Sequence, residues 1–289
     1  MAIIKRLGVF PNTGKENVLN ALPDFLDMCR NHGLNPLLPI DLAKDYGCDA
    51  FDVEQPATLI SLDVAVSLGG DGTLLQMARH LLTYDIPLFG INFGTLGFLA
   101  EIDVQTMHKA ITRLAQGNYS IEKRSLLKAQ VIHEDSGVTV ATAHALNEFV
   151  LAKGIYSKMG HMQMFLNGKP SGRYAADGLI IATATGSTAY NLSAGGPLVM
   201  PELDVSVITP ICAHSLQSRA FVVPMTDLIE LRCVPGSEEC LLAGDGENIA
   251  PVLEGDVVRI ERSPYQINLI RLTSRDYYQT WYQKLMRPQ

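Results

Sequence analysis

Positive charge is scarce in this chain of 289 residues. Lysine and arginine number 23 against 30 aspartates and glutamates, which gives a formal net charge of -7. Proteins that bind nucleic acid or membrane surfaces without specificity are usually basic, so the charge argues against both partners. An anionic small ligand is still compatible with this composition, because such a site needs only local cations.

Cysteine and long apolar runs are also scarce. The five cysteines are odd in number, widely spaced and never arranged as Cys-x-x-Cys. We therefore expect free thiols in a reducing compartment rather than disulfides or a zinc site. The first residues lack the apolar core of a secretory signal, and no apolar run approaches membrane-spanning length. The sequence predicts a cytoplasmic protein without a membrane partner.

Strand-like and helix-like segments alternate from residue 1 to about 118. This alternation predicts an α/β domain with an open parallel sheet, whose ligands would bind beyond the carboxyl ends of the strands. The predicted strands cover residues 3–10, 34–38, 63–68 and 87–92. The predicted helices cover residues 15–32, 73–84 and 103–114, and residues 41–56 are expected to be irregular.

The pattern changes after residue 118 to short strand-like segments separated by turns. Residues 119–270 are therefore expected to form a mostly β domain. Between Asp276 and Met286, aromatic residues and leucine recur at helical spacing, which predicts a helix in the C-terminal part, residues 271–289.

The most informative stretch of the first half is DVAVSLGGDGTLL, Asp63 to Leu75. It predicts a buried strand, a glycine turn that a ligand can approach closely, and a helix that begins at Thr73. The N–H groups at a helix start favour an anion, so Asp71 stands where a phosphate would dock. We interpret its carboxylate as a proton acceptor or a metal ligand. The alternative is a cap that binds its own turn.

Two stretches of the second half are unusual in composition. Residues 177–197 run from an apolar strand into small, hydroxyl and glycine residues. Their hydroxyls and Asn191 could bond a ribose or a base edge, and Tyr190 could stack on an aromatic ring. A tightly packed loop is the alternative. Asn147 and Glu148 lie inside an apolar run, so they either face a site or form a hydrogen-bonded pair at a sheet edge.

Gly-Gly-Asp-Gly-Thr, Asn-Glu and the long motif at 177–197, in this order, resemble the bacterial NAD kinases over residues 1–289. The first loop also resembles those of diacylglycerol-type lipid kinases and phosphofructokinases, whereas the long motif is much more specific. The resemblance implies a C-terminal segment that returns to the first domain and NAD bound between the domains. It also implies ATP or another phosphoryl donor such as polyphosphate, a divalent cation such as Mg²⁺, and a homo-oligomer, either a tetramer or a dimer.

Carried onto this sequence, the resemblance makes Asp71 the proton acceptor for the 2′-hydroxyl of the adenosine ribose of NAD. The implied NAD contacts are Asp71, Gly72, Asn147, Glu148, Asp177, Thr185, Thr188, Ala189, Tyr190, Asn191, Leu192 and Ser193. Lys158 matches an often basic position that could meet a phosphate, and Glu247 occupies a further contact position. Ala175 and Gln76 depart from the family, since members often have a basic residue at each position.

Other classes of function share single features with this chain. A lipid or sugar kinase would share the first loop, and a dinucleotide-binding regulator would bind NAD without chemistry. A P-loop at Gly8 to Lys15 fails on its spacing and on Glu16, where serine or threonine should bind the metal. A Rossmann dehydrogenase is disfavoured because no Gly-x-Gly-x-x-Gly follows the first strand.

Overall fold

The computed structural model describes residues 4–94, 97–100, 102–154, 160–215, 217–234, 240–272 and 277–286. The chain divides into two compact units: residues 1–123 with 267–289, called here the α/β unit, and residues 124–266, called the β unit. The predicted fold class is confirmed, whereas the domain boundaries at 118 and 270 remain predictions. None of the helices in the described ranges is long and apolar enough to cross a membrane.

The strands are numbered in chain order. They are β1 (Arg6–Pro11), β2 (Asn35–Pro39), β3 (Asp49–Phe51), β4 (Val64–Gly69), β5 (Leu88–Asn92), β6 (Ile102–Asp103), β7 (Ser120–His133), β8 (Thr139–Ala145), β9 (Glu148–Lys153), β10 (Gly160–Leu166), β11 (Lys169–Ala176), β12 (Gly178–Thr183), β13 (Val205–Ile211), β14 (Phe221–Pro224), β15 (Ile229–Cys233), β16 (Cys240–Gly244), β17 (Glu247–Val252) and β18 (Asp256–Arg271).

The α-helices are numbered in the same way. They are α1 (Glu16–Asn31), α2 (Ile40–Ala43), α3 (Pro56–Leu59), α4 (Asp71–His80), α5 (Met107–Ala115), α6 (Tyr190–Ser193) and α7 (Tyr277–Trp281). Short 3₁₀ turns cover Val104–Thr106 and Thr185–Thr188, and a π-helical turn covers Tyr282–Met286.

A parallel sheet in the order β3-β2-β1-β4-β5 forms the centre of the α/β unit. Every residue of β4 is buried, as its apolar sequence predicts. β6 and the last part of β18 both pair with β5 in parallel. The carboxyl ends of β1, β4 and β5 therefore lie along one edge, which brings together the loops that follow these strands.

The predicted helix at 15–32 is confirmed as α1, which contains Pro23 and ends before Gly33 in the left-handed region (φ 76°). The predicted cap of the helix at 103–114 is also confirmed. The carboxylate of Asp103 accepts a hydrogen bond from Thr106 N at 2.8 Å, and Gly117 follows the helix with φ 72°.

Two expectations for the α/β unit are wrong. Residues 41–56 contain most of α2 and all of β3, because tertiary pairing with β2 overrides their polar local pattern. The helix after β4 begins at Asp71 rather than at Thr73, with Gly70 as its N-cap. Asp71 thus stands in the first helical turn, where the helix dipole favours an acidic side chain.

The β unit is mostly β, as predicted, and its strands pair in the antiparallel direction. One sheet has the order β14-β13-β12-β9-β16-β17. In the other, β10 lies between β11 and β15, and β15 pairs with β18. Buried aliphatic side chains such as Leu151, Ile181 and Leu242 fill the core. β12, which forms the first part of the long motif at 177–197, is buried throughout.

The buried face of α1 offers a test of this core. Leu22 is fully buried, whereas Leu19 is only partly buried on the same helix. We expect Leu22→Ala to lower the free energy of unfolding by about 2–5 kcal/mol, since it removes transfer energy and leaves a cavity. Leu19→Ala is the matched control and should lower it much less. Equal losses in urea denaturation would contradict the placement of this helix face.

Candidate functional site

The turn between β4 and α4 is held by hydrogen bonds to Thr73. Its hydroxyl oxygen accepts from Gly70 N at 3.4 Å and from Asn12 Nδ2 at 3.2 Å. A Cβ atom added to Gly69 would lie 2.2 Å from Thr73 Oγ1, so a side chain would displace this hydroxyl. A Cβ added to Gly72 would meet open space. Gly72 is exposed, and its backbone is therefore accessible to a ligand.

The carboxylate of Asp71 binds the loop at residues 97–100, which follows β5 and contains Gly97. Oδ2 accepts from Phe98 N at 2.7 Å, and Oδ1 accepts from Leu99 N at 3.1 Å and Ala100 N at 2.9 Å. A carboxylate offers about four lone-pair positions, so one position, on Oδ2, accepts no hydrogen bond from the described residues. The alternative of a cap on its own turn is wrong, because the three bonded N–H groups belong to another loop.

The loop approaches the Asp71 carboxylate so closely that position 97 must be glycine. A Cβ atom added there would lie 1.9 Å from Asp71 Oδ1, far inside any allowed contact. The glycine is needed so that the backbone can wrap the carboxylate. Three consecutive N–H groups directed at one anion form a backbone nest, which holds a negative charge without a cationic side chain.

Lys15 places a positive charge beside Gly70 and Gly94. A Cβ added to Gly70 or Gly94 would lie 4.0 or 3.9 Å from Lys15 Nζ, and 3.9 Å from Asn92 Oδ1 in both cases. The Asn92 oxygen accepts a bond from Gly94 N at 3.1 Å. No hydrogen bond or ion pair to the described residues engages the Lys15 ammonium group. The sequence pattern missed this lysine because its spacing fails the P-loop rule.

Asn147 and Glu148 lie at the turn between β8 and β9 in the β unit. The carboxylate of Asp245 accepts hydrogen bonds from Leu146 N at 2.8 Å, Asn147 N at 2.8 Å and Glu148 N at 3.1 Å. Asp245 itself has φ 46°, in the left-handed region. This turn is therefore built like the loop at 97–100, with one carboxylate that holds three consecutive N–H groups.

The side chains of this pair are available for a ligand. Glu148 is only 6% exposed, and its Oε2 has no hydrogen-bond partner among the described residues. Burial, together with the like charge of Asp245, raises the pKa of Glu148 to about 8, although a hydrogen bond from the Tyr190 backbone opposes the shift. The Asn147 amide has no intramolecular partner in the described part of the chain. A sugar hydroxyl suits both groups, since it can donate and accept.

The loop after β12 packs directly on this pair. A Cβ added to Gly186 would lie 2.1 Å from Asn147 O, so only glycine fits. Thr183 Oγ1 donates to Leu146 O at 2.6 Å and accepts from Gly186 N at 3.0 Å. The long motif and the Asn-Glu motif are therefore parts of one cluster, although Asp177, the first residue of the long motif, follows Glu148 by 29 positions.

Inside the long motif, Asn191 and Thr185 hold the loop together. Asn191 is fully buried, and its amide donates to Ser187 O at 2.9 Å and Pro197 O at 3.0 Å. Its oxygen accepts from Thr209 Oγ1 at 2.6 Å. The expectation that this side chain reaches a ribose or a base edge is wrong. Thr185 is buried and accepts a 3.0 Å bond from Arg124, a buried cation that the sequence pattern missed.

Five neighbouring residues of the motif remain at least partly exposed. They are Thr188, Ala189, Tyr190, Leu192 and Ser193. The Tyr190 side chain is 44% exposed, so its ring can stack on a ligand. Its backbone N–H binds Glu148, which connects this exposed face to the buried carboxylate.

The structure does not bring Asp177 to the Asn147–Glu148 cluster. Along β12 and β9, Gly178 pairs with Ala152 and Ala182 pairs with Glu148. Asp177 therefore lies at the far end of the strand pair, about 20 Å of extended chain from Thr183. Its carboxylate forms a 2.8 Å ion pair with Lys153.

Glu247 and Lys158 complete the set of candidate residues. Glu247 is exposed and begins β17 beside the Asp245–Gly246 turn. It thus lies close in sequence to the carboxylate that holds Asn147 and Glu148. Lys158 lies outside the described residues.

Comparisons with known proteins agree on one family. The model of the ATP-NAD kinase N-terminal domain matches residues 55–119, and that of the ATP-NAD kinase C-terminal domain matches residues 146–272. The NAD kinase of Caldanaerobacter subterraneus subsp. tengcongensis is 35% identical over 282 residues, which cover 98% of this chain and 99% of that protein. The NAD kinase of Moorella thermoacetica is 37% identical over 284 residues, with 98% and 89% coverage.

Two solved structures share the fold. Yeast NADH kinase complexed with NADH has a TM-score of 0.89 at 22% identity, covering 99% of this chain and 88% of that one. The NAD kinase from Archaeoglobus fulgidus in complex with ATP has a TM-score of 0.75 at 22% identity, covering 97% and 98%. At these identities the likeness shows the fold alone.

The raised pKa of Glu148 predicts how stability depends on pH. The folded side chain keeps its proton up to about pH 8, whereas the unfolded one ionises near its ordinary pKa. Protonated Glu148 therefore contributes its full stabilisation of the folded protein below the pKa of the unfolded state. This contribution is lost as pH rises through the pKa of the folded state. As pH rises from 4.5 to 8, we expect the free energy of unfolding of Glu148→Gln to increase by on the order of 3–5 kcal/mol relative to that of wild type.

Chemical denaturation of the ligand-free protein at several pH values would measure this gain. The control is Glu202→Gln, which changes an exposed glutamate of the same unit. It should follow the wild-type profile. Parallel profiles for Glu148→Gln and wild type would show that Glu148 titrates normally.

Proposed function

The chain belongs to the NAD kinase family, and from that membership we propose which residues carry its chemistry. As a member it is an ATP-dependent NAD kinase, a phosphotransferase. We propose that the acceptor is the 2′-hydroxyl of the adenosine ribose of NAD and that Asp71 accepts its proton, so that the product is NADP. The open lone pair on Asp71 Oδ2 is the observation that carries this proposal.

The geometry of Asp71 suits a general base. A hydroxyl is a weak nucleophile unless its proton is accepted as the new bond forms. Three N–H groups fix the carboxylate, so it needs no reorganisation when the hydroxyl arrives. The acceptor hydroxyl would donate to the remaining position on Oδ2, which would hold its oxygen ready to attack the γ-phosphorus.

The donor phosphates are assigned to the start of α4 and to Lys15. Exposed N–H groups at a helix N-terminus favour an anion, and the backbone at Gly72 is open. The Lys15 ammonium lies near Gly70 and Gly94 and would neutralise charge on the transferring group. Phosphoryl transfer depends mainly on such positioning and electrostatic stabilisation.

A divalent cation, Mg²⁺, is proposed to accompany the donor. Within the described residues, no group of three His, Cys, Asp or Glu side chains could hold a metal. Mg²⁺ is commonly bound by one or two carboxylates together with substrate phosphates and water, a pattern that does not need such a group. When bound, the ion would neutralise charge on the β- and γ-phosphates. Asp71 stands in the first turn of α4, where the donor phosphates are proposed to bind.

Recognition of NAD is assigned to the β unit. Asn147 and the unpartnered Oε2 of Glu148 would bind ribose hydroxyls or the adenine edge. Thr188, Ala189, Tyr190, Leu192 and Ser193 would form the contact face, and Asn191 and Thr185 would act by holding the loop. Asp177, Lys158 and Glu247 remain proposed contacts from the family resemblance.

Assembly and location are also proposals. The family resemblance favours a homo-oligomer, a dimer or a tetramer. All five cysteines are free, which is typical of a reducing compartment such as the cytoplasm.

Substitution of Asp71 tests the proposed base. We expect Asp71→Asn to lower kcat for NADP formation by about 10²–10⁴-fold, because the amide cannot accept the proton. NAD binding should persist, since the proposed contacts in the β unit are unchanged. A coupled assay for NADP, with ATP or polyphosphate as donor, and calorimetric titration with NAD would measure the two effects.

Asp63→Asn is the matched control. Asp63 stands at the other end of β4, and its carboxylate also accepts backbone hydrogen bonds, from Lys5 N and Arg6 N at 2.8 Å. Its substitution should lower stability and leave kcat unchanged. Wild-type turnover in Asp71→Asn would exclude the base role.

Substitution of Lys15 tests the donor position. We expect Lys15→Met to raise KM for ATP roughly tenfold or more, because a charge-assisted bond to phosphate is lost. KM for NAD should stay within about twofold, and Lys15→Arg should restore most of the ATP affinity. Lys44→Met, at an exposed lysine of the same unit, is the control. A change confined to KM for NAD would contradict the assignment.

A further inference from the structure

The loop at 97–100 that holds Asp71 is itself held by two cations. Lys284 Nζ donates to Gly97 O and lies 4.3 Å from the centroid of the Phe98 ring. Arg271 Nη1 donates to Leu99 O at 3.3 Å. Both cations come from the late part of the chain that belongs to the α/β unit.

Each cation binds a peptide group that also binds Asp71. The carbonyl of Gly97 and the N–H of Phe98 belong to one planar peptide, and so do the carbonyl of Leu99 and the N–H of Ala100. Phe98 N donates to Asp71 Oδ2, and Ala100 N donates to Asp71 Oδ1. Rotation of either peptide plane would therefore break a bond at both ends.

The two cations differ in how firmly they are held. Arg271 is buried and pairs with Glu122, and its Nη2 donates to the Tyr277 hydroxyl at 3.4 Å. Tyr277 in turn donates to Glu122 Oε1 at 2.6 Å, which closes a network around the guanidinium. Lys284 lies in the π-helical turn and is only half-buried. Arg271 thus anchors the loop, and Lys284 makes the more accessible contact.

We propose that Lys284 is a positioning residue for phosphoryl transfer. By holding the Gly97–Phe98 peptide, it keeps the Phe98 N–H on one lone pair of Asp71 Oδ2 and so aims the other at the acceptor hydroxyl. A cation on the carbonyl also polarises the N–H of the same peptide and strengthens its bond to the carboxylate. This inference rests on the proposed role of Asp71 as base.

Kinetics of Lys284→Met would test the proposal. Methionine keeps a flexible apolar side chain beside Phe98 but removes the charge. We expect kcat to fall about 10- to 100-fold, because the base is misplaced. KM for NAD and for ATP should stay within about twofold, since no substrate contact is lost. Lys284→Arg should restore most of kcat, and Lys109→Met, at an exposed lysine on α5, should match wild type.

A double-mutant cycle with Asp71→Asn separates positioning from simple destabilisation. If Lys284 acts through the carboxylate, Lys284→Met will cause little further loss of kcat in the Asp71→Asn protein. Three results would overturn the inference. They are the same fold-loss of kcat in both backgrounds, an unchanged kcat in Lys284→Met, and a loss of kcat that follows unfolding at the assay temperature. Full turnover in Asp71→Asn alone would instead refute the role of Asp71.

Discussion

One interaction recurs in the α/β unit and in the β unit: a single aspartate carboxylate that accepts three consecutive backbone N–H groups. Asp71 does this for residues 98–100, and Asp245 does it for residues 146–148. Hydrogen bonds to a charged acceptor are about twice as strong as neutral ones. A loop with this inner anion has one preferred shape, so the groups that flank it are fixed before any ligand arrives.

The two carboxylates leave different groups available. At Asp71, a lone pair of the holding carboxylate itself is left over, which suits the transfer of a proton. At Asp245, the carboxylate instead shapes a turn, and the neighbouring side chains of Asn147 and Glu148 are the proposed contacts for NAD. Glu148 is buried beside the charge that shapes the turn, and this closeness contributes to its raised pKa. At Asp71 and at Asp245, the same carboxylate therefore determines both the shape of the loop and the charge next to it.

The local parts of this arrangement could be predicted from the sequence. The buried strand β4, its glycine turn and the position of Asp71 follow from a contiguous pattern, as do α1 and the cap at Asp103. The partners of Asp71 could not be predicted, because they are backbone groups 27–29 residues away and backbone groups carry no sequence signal. Asp245 is even farther from its partners, by 97–99 residues.

The direction in which a side chain points also could not be predicted from the sequence pattern. Asn191 is polar within a loop of small residues, which is typical of a ligand contact, yet the packing of Gly196 against its oxygen turns it inward. Asp177 belongs to the same motif as Thr185, but the extended strand between them carries it away. A contiguous motif can therefore contribute to two separate places when part of it is a strand.

The route of the chain through the α/β unit has a consequence for its synthesis. Strand β18 supplies Leu269, which pairs with Leu88 of β5, only after the whole β unit has been made. Until then, this part of the edge of β5 has unpaired backbone groups, and the Leu99 carbonyl lacks Arg271. A growing chain therefore holds an unfinished sheet edge for the time that about 180 residues, from Leu88 to Leu269, take to emerge, roughly 9–36 s. During that interval, protection against misassembly depends on cellular chaperones or on the speed of translation.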